Sequence, residues 1–315
     1  MDDTNAIIPV TAGELVVATT GSSPTLVSMG SYDGTAGTYE IFGVKTDGEP
    51  GALVESEDYK LFVAKLPSGQ LGLMKINATP GAVALLEREA RILNTMQNVA
   101  TQLDSEAASP EEVPYYGAMF PNVVETVIPS EDRFVMFLGY HPTITTYRQL
   151  VPVSVLAATQ RVDLKSIQWM LGKLFKLEGF AHSLGFNIGL VHPSNELVET
   201  NVHGVFVLDF SNASEDATDE ECRQEVADAA KIAWHAAGGN ETSDPPYDAA
   251  IMSKEGHSEY VAFLKRVMSG ETEGANAEQA AIYEMADRIW PKEEKTDETG
   301  SVVKRPFHAF VPYAR

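Results

Sequence analysis

The stretch that decides the fold is residues 181–213, AHSLGFNIGLVHPSNELVETNVHGVFVLDFSNA. It starts at the end of an amphipathic helical pattern and continues through a loop into two short apolar segments, residues 196–199 and 205–208. His203 and Gly204 lie between these two segments. Because short apolar strands joined by a polar, glycine-containing turn are typical of a β-hairpin, the sequence predicts a hairpin here.

Two polar residues flank the predicted hairpin on its outer side. Asn195 precedes the first strand and Asp209 follows the second. A hairpin brings its two ends together, so we expect the Asn195 amide oxygen and the Asp209 carboxylate to lie side by side. Hard oxygen ligands in small number suit Mg²⁺, which completes its coordination with water and substrate phosphates. The pattern therefore predicts that Asn195 and Asp209 hold Mg²⁺ or Mn²⁺.

The same two residues carry a resemblance to the protein-kinase superfamily. The tetrapeptide HPSN at residues 192–195 resembles the HPxN catalytic loop of the small atypical kinases, similar to aminoglycoside and ABC1-type kinases. The tetrapeptide LDFS at residues 208–211 resembles the Asp-Phe-Gly motif, with serine in place of glycine. The resemblance implies a nucleotide-binding protein in which Asn195 and Asp209 hold the metal ions that bridge the phosphates of ATP.

One position departs from the family pattern. The family places its catalytic aspartate two residues before the histidine of HPxN, and this chain has Leu190 there. A leucine side chain cannot accept the proton of a substrate hydroxyl. The resemblance therefore implies a pseudokinase that keeps the nucleotide site and lacks the base. His192 is a possible phosphate contact, and a role in bracing the loop is the alternative.

The first half of the chain reads as β structure followed by a helix. Apolar segments at residues 59–66 and 70–76, joined by Pro-Ser-Gly, predict a hairpin that carries Lys75, and residues 81–96 predict an amphipathic helix. The resemblance implies that Lys75 contacts the α- and β-phosphates and that Glu89 of the helix pairs with it. The alternatives are a solubilising lysine on an edge strand and a surface carboxylate.

A further strand is predicted at residues 133–138. The resemblance makes it the strand that enters the hinge, where the backbone around Leu138, Gly139 and Tyr140 would hydrogen-bond adenine. A buried strand that leads into a linker is the alternative reading.

The second half of the chain is mainly helical, with the longest pattern at residues 164–184. We therefore predict an α+β, bilobal protein-kinase-like fold, with an antiparallel β-sheet N-lobe, a mainly helical C-lobe and a cleft between them. The predicted divisions are an N-terminal extension at 1–37, the N-lobe at 38–140, the C-lobe at 141–290 and a charged tail at 291–315. Short helical pieces are expected at residues 146–158, and a loop at 97–112.

The charge and cysteine content of the chain restrict the classes of partner and the location that we expect. The chain has 45 acidic and 23 basic residues among 315, a formal net charge of −22. Nucleic acid and anionic membrane surfaces attract basic proteins, so neither is an expected partner. A single cysteine, Cys222, excludes an intramolecular disulfide, and the first residues lack a signal-peptide pattern. We expect a cytoplasmic protein that binds a nucleotide and a protein partner.

Three functions compete. The first is a pseudokinase that binds ATP with Mg²⁺ or Mn²⁺ and acts as a regulator or scaffold. The second is an active atypical kinase or nucleotidyl transferase with a relocated base, for instance a carboxylate of the acidic run at residues 215–221. Positioning and electrostatics supply most phosphoryl-transfer catalysis, so the loss of one carboxylate does not by itself abolish it. The third is a structural or interaction protein with an inherited kinase fold.

Overall fold

The chain forms two compact units, which we describe separately. The computed structural model describes residues 6–9, 15–18, 25–45, 48–109, 112–140, 150–153, 160–190, 195–199, 204–290, 295–296, 302–303 and 313–314. The first unit comprises Met1–Pro152 with Leu184–Asp216, and the second comprises Val153–Ser183 with Ala217–Arg315. The domain boundaries predicted from the sequence stay predictions.

The elements are numbered in chain order. The strands are β1 (Ala6–Pro9), β2 (Leu15–Ala18), β3 (Thr25–Asp33), β4 (Thr38–Lys45), β5 (Val54–Glu55), β6 (Tyr59–Lys65), β7 (Leu71–Asn77), β8 (Asn122–Ser130), β9 (Arg133–Gly139), β10 (Leu150–Pro152), β11 (Gln160–Arg161), β12 (Glu196–Glu199), β13 (Gly204–Val207), β14 (Lys295–Thr296), β15 (Val302–Val303) and β16 (Tyr313–Ala314). The helices are α1 (Val83–Glu106), α2 (Leu164–Ser183), α3 (Asp219–Ala236), α4 (Lys254–Met268) and α5 (Ala275–Ile289). Short 3-10 helices occur at Pro80–Ala82 and Tyr116–Ala118.

The main sheet of the first unit has seven antiparallel strands. Their order is β3-β4-β6-β7-β9-β8, with β5 paired to β6. The predicted hairpin is confirmed as β6 and β7, and the strand predicted at 133–138 is confirmed as β9. Strand β3 comes from the predicted N-terminal extension and pairs with β4 at one edge. Strand β7 lies in the interior of the sheet, because it pairs with β6 on one side and with β9 on the other.

The core of this sheet is aromatic and aliphatic. On β4, burial alternates along the strand, which places Tyr39 and Ile41 inside and Thr38 and Glu40 in solvent. The ring of Tyr39 stacks on that of Phe137 of β9, with 3.8 Å between the ring centroids. Burial of an apolar side chain of this size contributes about 1.5–3 kcal/mol to the free energy of unfolding, so these contacts stabilise the sheet.

Helix α1 is longer than the sequence pattern predicted. The predicted helix ended at Met96 and a loop was expected to follow, but α1 continues to Glu106, so the predicted loop was wrong over that stretch. The buried face also continues beyond Met96 to Ala100. Mostly polar residues with moderate or good helix propensity occupy the additional turns, and the Gln102 amide donates to Glu106 one turn later. The polar composition of these turns is therefore the reason that the sequence indicated a loop where the solvated end of the helix continues.

The hairpin predicted from the opening stretch is confirmed. Strand β12 pairs antiparallel with β13, with Glu196 opposite Val207 and Glu199 opposite Gly204. Strand β10 adds to the other side of β12. Of the predicted short helical pieces at 146–158, the part at Leu150–Pro152 is a strand instead, because its backbone groups pair with Glu199, Val198 and Leu197.

The second unit is built on helices. Helix α2 is buried along most of its length, because α3 and α5 both pack against it. Asp163 caps its first turn by accepting hydrogen bonds from the amides of Lys165 and Ser166. Thr218 and Glu221 form a reciprocal capping box at the start of α3. The predicted mainly helical second half is confirmed, and the fold class is α+β as predicted.

Part of the predicted tail pairs within the second unit. Strand β16, from the tail, is antiparallel to β11, and β14 pairs with β15. Within the described ranges, the helices are all too short or too polar to cross a membrane.

Candidate nucleotide-binding site

The candidate site is a cluster of charged side chains within the first unit, and Lys75 lies at its centre. Lys75 is on the interior strand β7, opposite Leu61 of β6 and Met136 of β9, and its side chain is 2% exposed. The alternative reading of Lys75 as a solubilising lysine on an edge strand is therefore wrong. A buried ammonium group needs carboxylate partners, since burial of an unpaired charge is costly.

Glu89 of α1 is the first partner of Lys75. The Lys75 Nζ donates to both carboxylate oxygens of Glu89, at 2.8 Å and 2.7 Å, and the Glu89 side chain is fully buried. Glu87 is only half-buried, because it lies two residues along the helix and faces another direction. Helical periodicity thus decides which of the two glutamates reaches the lysine.

Asp209 is the second partner. It follows strand β13, and its Oδ1 accepts from Lys75 Nζ at 2.6 Å and from the Ser211 amide at 2.9 Å. Its Oδ2 accepts from the Ser211 hydroxyl at 3.1 Å and from the Tyr59 hydroxyl at 2.9 Å. Each carboxylate oxygen offers two lone pairs, so these four bonds use the full capacity of the carboxylate.

Asn195 lies beside Asp209, as predicted from the hairpin, but it binds the backbone of that residue. The Asn195 amide nitrogen donates to the Asp209 carbonyl oxygen. Its Oδ1 accepts from the amides of Leu208, at 3.2 Å, and of Asp209, at 2.6 Å. The side chain therefore closes the open end of the hairpin.

Tyr59, at the start of β6, is the site residue that sequence reasoning missed. Its ring lies against Lys75, with Nζ 3.9 Å from the ring centroid, and its hydroxyl donates to Asp209. Burial, together with the adjacent Asp209 carboxylate, raises the pKa of Tyr59 above its ordinary value. The sequence signal that would have found it is the hairpin register, which pairs Tyr59 with Asn77, two residues beyond Lys75.

The two carboxylates compete for one ammonium group. Burial alone would lower the pKa of Lys75, but the charges of Asp209 and Glu89 raise it instead. Burial raises the pKa of Glu89, and the Lys75 charge offsets this only in part. Burial would also raise the pKa of Asp209, but Lys75 and the Ser211 hydrogen bonds outweigh it and hold this pKa below its usual range. With both carboxylates ionised, the cluster carries one excess negative charge.

Three contacts join α1 to the segment after Asp209. The Phe210 amide donates to Glu89 Oε1 at 3.1 Å, and Arg88 donates to the Ser211 carbonyl oxygen at 3.0 Å. Arg91 forms two hydrogen bonds to Glu215. The lysine–glutamate pair is thereby held to the segment that carries Asp209.

The remaining predicted residues fall in different places. Leu190 is buried and follows Gly189, whose φ of +69° and close approach to the Asn212–Ala213 backbone leave no room for a side chain. Leu138 and Gly139 end strand β9 and are buried. Tyr140 packs edge-on against Phe206 of β13 at 5.4 Å. His192 lies outside the described residues.

The hydrogen bonds of Asn195 and Asp209 occupy the oxygens that would hold the metal implied by the resemblance. Asn195 Oδ1 and both oxygens of Asp209 already accept two hydrogen bonds each. The arrangement therefore does not fit a metal ion, since protein donors use the lone pairs that would coordinate it. Among the described residues there is also no group of three or more His, Cys, Asp or Glu side chains that could hold a metal. Metal binding by Asn195 and Asp209 stays a prediction, and it requires some of these bonds to open.

Comparison with known proteins adds structural neighbours. No protein-family model matches the chain, and no curated protein matches its sequence. The chain is similar to the solved kinase domain of PknI from Mycobacterium tuberculosis, with 13% identity, a TM-score of 0.46, and coverage of 78% of this chain and 96% of that one. Two mutant forms of that domain match with 14% and 13% identity and TM-scores of 0.48 and 0.45, covering 78% and 82% of this chain and 96% and 97% of theirs.

Identities and TM-scores this low add nothing to the description of the site, and the elements themselves define the fold. An antiparallel sheet carries a buried lysine on an interior strand, the following helix supplies its glutamate, and a later hairpin ends in the aspartate. The α+β class predicted from the sequence, with an antiparallel sheet in the first unit and mainly helices in the second, is confirmed.

Proposed function

We propose that this chain is a pseudokinase that binds a nucleotide at the Lys75–Glu89–Asp209 cluster and acts as a regulator or scaffold for a protein partner. The observation that carries the proposal is the combination of this intact cluster with a buried leucine, Leu190, where the resemblance places the base. A leucine cannot take a proton, and a general base typically contributes about 10²- to 10⁴-fold to the rate.

The contacts of Glu215 argue against its use as a relocated base. Glu215 accepts two hydrogen bonds from the Arg91 guanidinium, which hold the pKa of this carboxyl below its usual range. A carboxylate with a lowered pKa is a poor proton acceptor. Glu221, farther along the same acidic run, caps α3 through Thr218, and its pKa is also lowered by those hydrogen bonds. Both contacts favour the pseudokinase over an active enzyme.

Within the proposal, each residue has the role that the resemblance implies. Lys75 would turn one or more of its N–H groups toward the phosphates, and Glu89 would keep it oriented. The backbone of Leu138 to Tyr140 would hydrogen-bond the base. ATP with Mg²⁺ or Mn²⁺ is the ligand that the resemblance implies, and Asp209 and Asn195 would hold the metal once their present hydrogen bonds open.

A thermal-shift panel of nucleotides tests the binding. We compare the wild type with Lys75→Met, and use Lys65→Met as the matched control, because Lys65 is an exposed lysine on the neighbouring strand that pairs with Glu40. ATP or ADP should raise the melting temperature of the wild type and of Lys65→Met, and leave that of Lys75→Met unchanged. An absent shift in the wild type, or an undiminished one in Lys75→Met, would overturn the proposed site.

A further inference from the structure

We propose that Tyr59 closes the phosphate and metal position of this site, so that a metal–nucleotide binds only after the Tyr59 side chain has moved away. We call Tyr59, with its contacts to Asp209 and Lys75, the Tyr59 latch. The inference rests on the proposed function and deepens it, since it specifies which form of the site accepts the nucleotide.

The latch occupies both groups that a metal–phosphate would need. Lys75 has three N–H groups, and two bonds to Glu89 and one to Asp209 use all three. The Tyr59 ring then lies 3.9 Å from Nζ, where a cation–π contact stabilises it. The Tyr59 hydroxyl donates a hydrogen bond to one lone pair of Asp209 Oδ2, and the other lone pair accepts from the Ser211 hydroxyl.

The net charge of the cluster around Lys75 also disfavours the binding of a polyphosphate. With Asp209 and Glu89 ionised, the cluster around Lys75 has an excess negative charge and repels a polyphosphate. A phosphate could bind Lys75 only if the ring withdrew, and a metal could bind Asp209 Oδ2 only if the hydroxyl withdrew. Displacement of this one side chain uncovers the side of Lys75 that faces the ring and frees one lone pair of Asp209 Oδ2. A phosphate must then replace one of the bonds of Lys75 to Glu89 or Asp209.

The position of Tyr59 allows it to move without disrupting the sheet. It is the first residue of β6, and a turn fixes its backbone: its amide donates to the Ser56 hydroxyl at 3.0 Å, and its carbonyl accepts from the Ser56 amide at 2.9 Å. Rotation about the Cα–Cβ bond would remove the side chain from Asp209 and leave these backbone bonds in place. The latch is therefore a movable part of a fixed strand end.

A latch lowers the apparent affinity by the fraction of molecules that are open. Because a hydrogen bond to a charged group shifts an equilibrium by about 10- to 100-fold, we expect an effect of at least about 10-fold. The test is calorimetric titration of the full chain with ATP and Mn²⁺. Tyr59→Ala should bind at least about 10-fold more tightly than the wild type, and Tyr59→Phe should lie between them.

The matched control is Tyr39→Phe, which removes another tyrosine-to-carboxylate bond in the same sheet, the one to Glu125. It should bind ATP and Mn²⁺ as the wild type does. If the wild type binds as tightly as Tyr59→Ala, the latch is overturned while the proposed function stands.

A second measurement keeps the latch testable if no form binds nucleotide, an outcome that would refute the proposed function. It is a double-mutant cycle of melting temperatures with Tyr59→Phe and Asp209→Ala, without ligand. The latch requires that Tyr59→Phe lower the melting temperature of the wild type and change that of Asp209→Ala much less. Equal decreases in both backgrounds would show that the hydroxyl does not bind Asp209, and the latch would be wrong.

Discussion

Glu125 is a single carboxylate that holds together two distant parts of the main sheet. It accepts hydrogen bonds from the Thr35 amide at 2.7 Å, the Thr35 hydroxyl at 2.9 Å and the Tyr39 hydroxyl at 2.8 Å. The turn between β3 and β4 is thereby attached to β8. These hydrogen bonds, that of the Thr35 amide foremost, lower the pKa of Glu125 from 4.5 to about 2.

A pH dependence of stability follows from this pKa. A carboxyl whose pKa is lower in the folded state stabilises that state above its unfolded pKa, and the contribution disappears as the pH falls through the folded pKa. We therefore expect the Glu125 contribution to be complete above about pH 5 and to disappear between the ordinary pKa of 4.5 and about 2.

The measurement is the melting temperature of the wild type and of Glu125→Gln between pH 7 and pH 2. The difference in melting temperature between the wild type and Glu125→Gln should decrease as the pH falls below 4.5. Glu131→Gln, a change in the exposed turn after β8, is the control and should follow the wild type. A constant gap for Glu125→Gln would contradict the assigned contacts.

At the scale of elements, α1 connects the sheet to the segment that follows Asp209. Its buried face packs on the sheet, while Arg88, Glu89 and Arg91 contact the segment after Asp209. The part beyond Met96 extends this helix by ten residues, from Gln97 to Glu106, where the sequence indicated a loop.

A proline substitution distinguishes the helix from the loop. Gln102→Pro removes a backbone hydrogen bond within α1 and should lower the free energy of unfolding by about 3 kcal/mol. Ala108→Pro, placed just after the helix, should change it by less than about 1 kcal/mol. Urea unfolding monitored by circular dichroism measures both. Similar small losses for the two variants would show that residues 97–106 are not helical.

The sequence predicted what depends on local pattern. The alternation of β6 and β7 and the hairpin of β12 and β13 both follow from periodicity within a few residues, and the resemblance implied Glu89 as the partner of Lys75. Tyr59 was missed because its role depends on the hydrogen bond it makes to Asp209, 150 residues later in the chain.

At the scale of the whole molecule, the charge opposes the ligand. A formal net charge of −22 gives no long-range attraction for a nucleotide polyphosphate, so the proposed binding would depend on local contacts at Lys75. In the structure, the three N–H groups of Lys75 all donate to Glu89 and Asp209.

The most direct test of the pseudokinase proposal is a transfer assay on the wild-type chain with Mg²⁺, generic acceptors and the protein itself. ATP carries the label on the γ-phosphate in one sample and on the α-phosphate in another, and Asp209→Asn is the reference. We expect neither label to be transferred above the level of Asp209→Asn. Transfer of the γ-label by the wild type and its loss in Asp209→Asn would contradict the proposal and identify an active kinase, and transfer of the α-label would identify a nucleotidyl transferase.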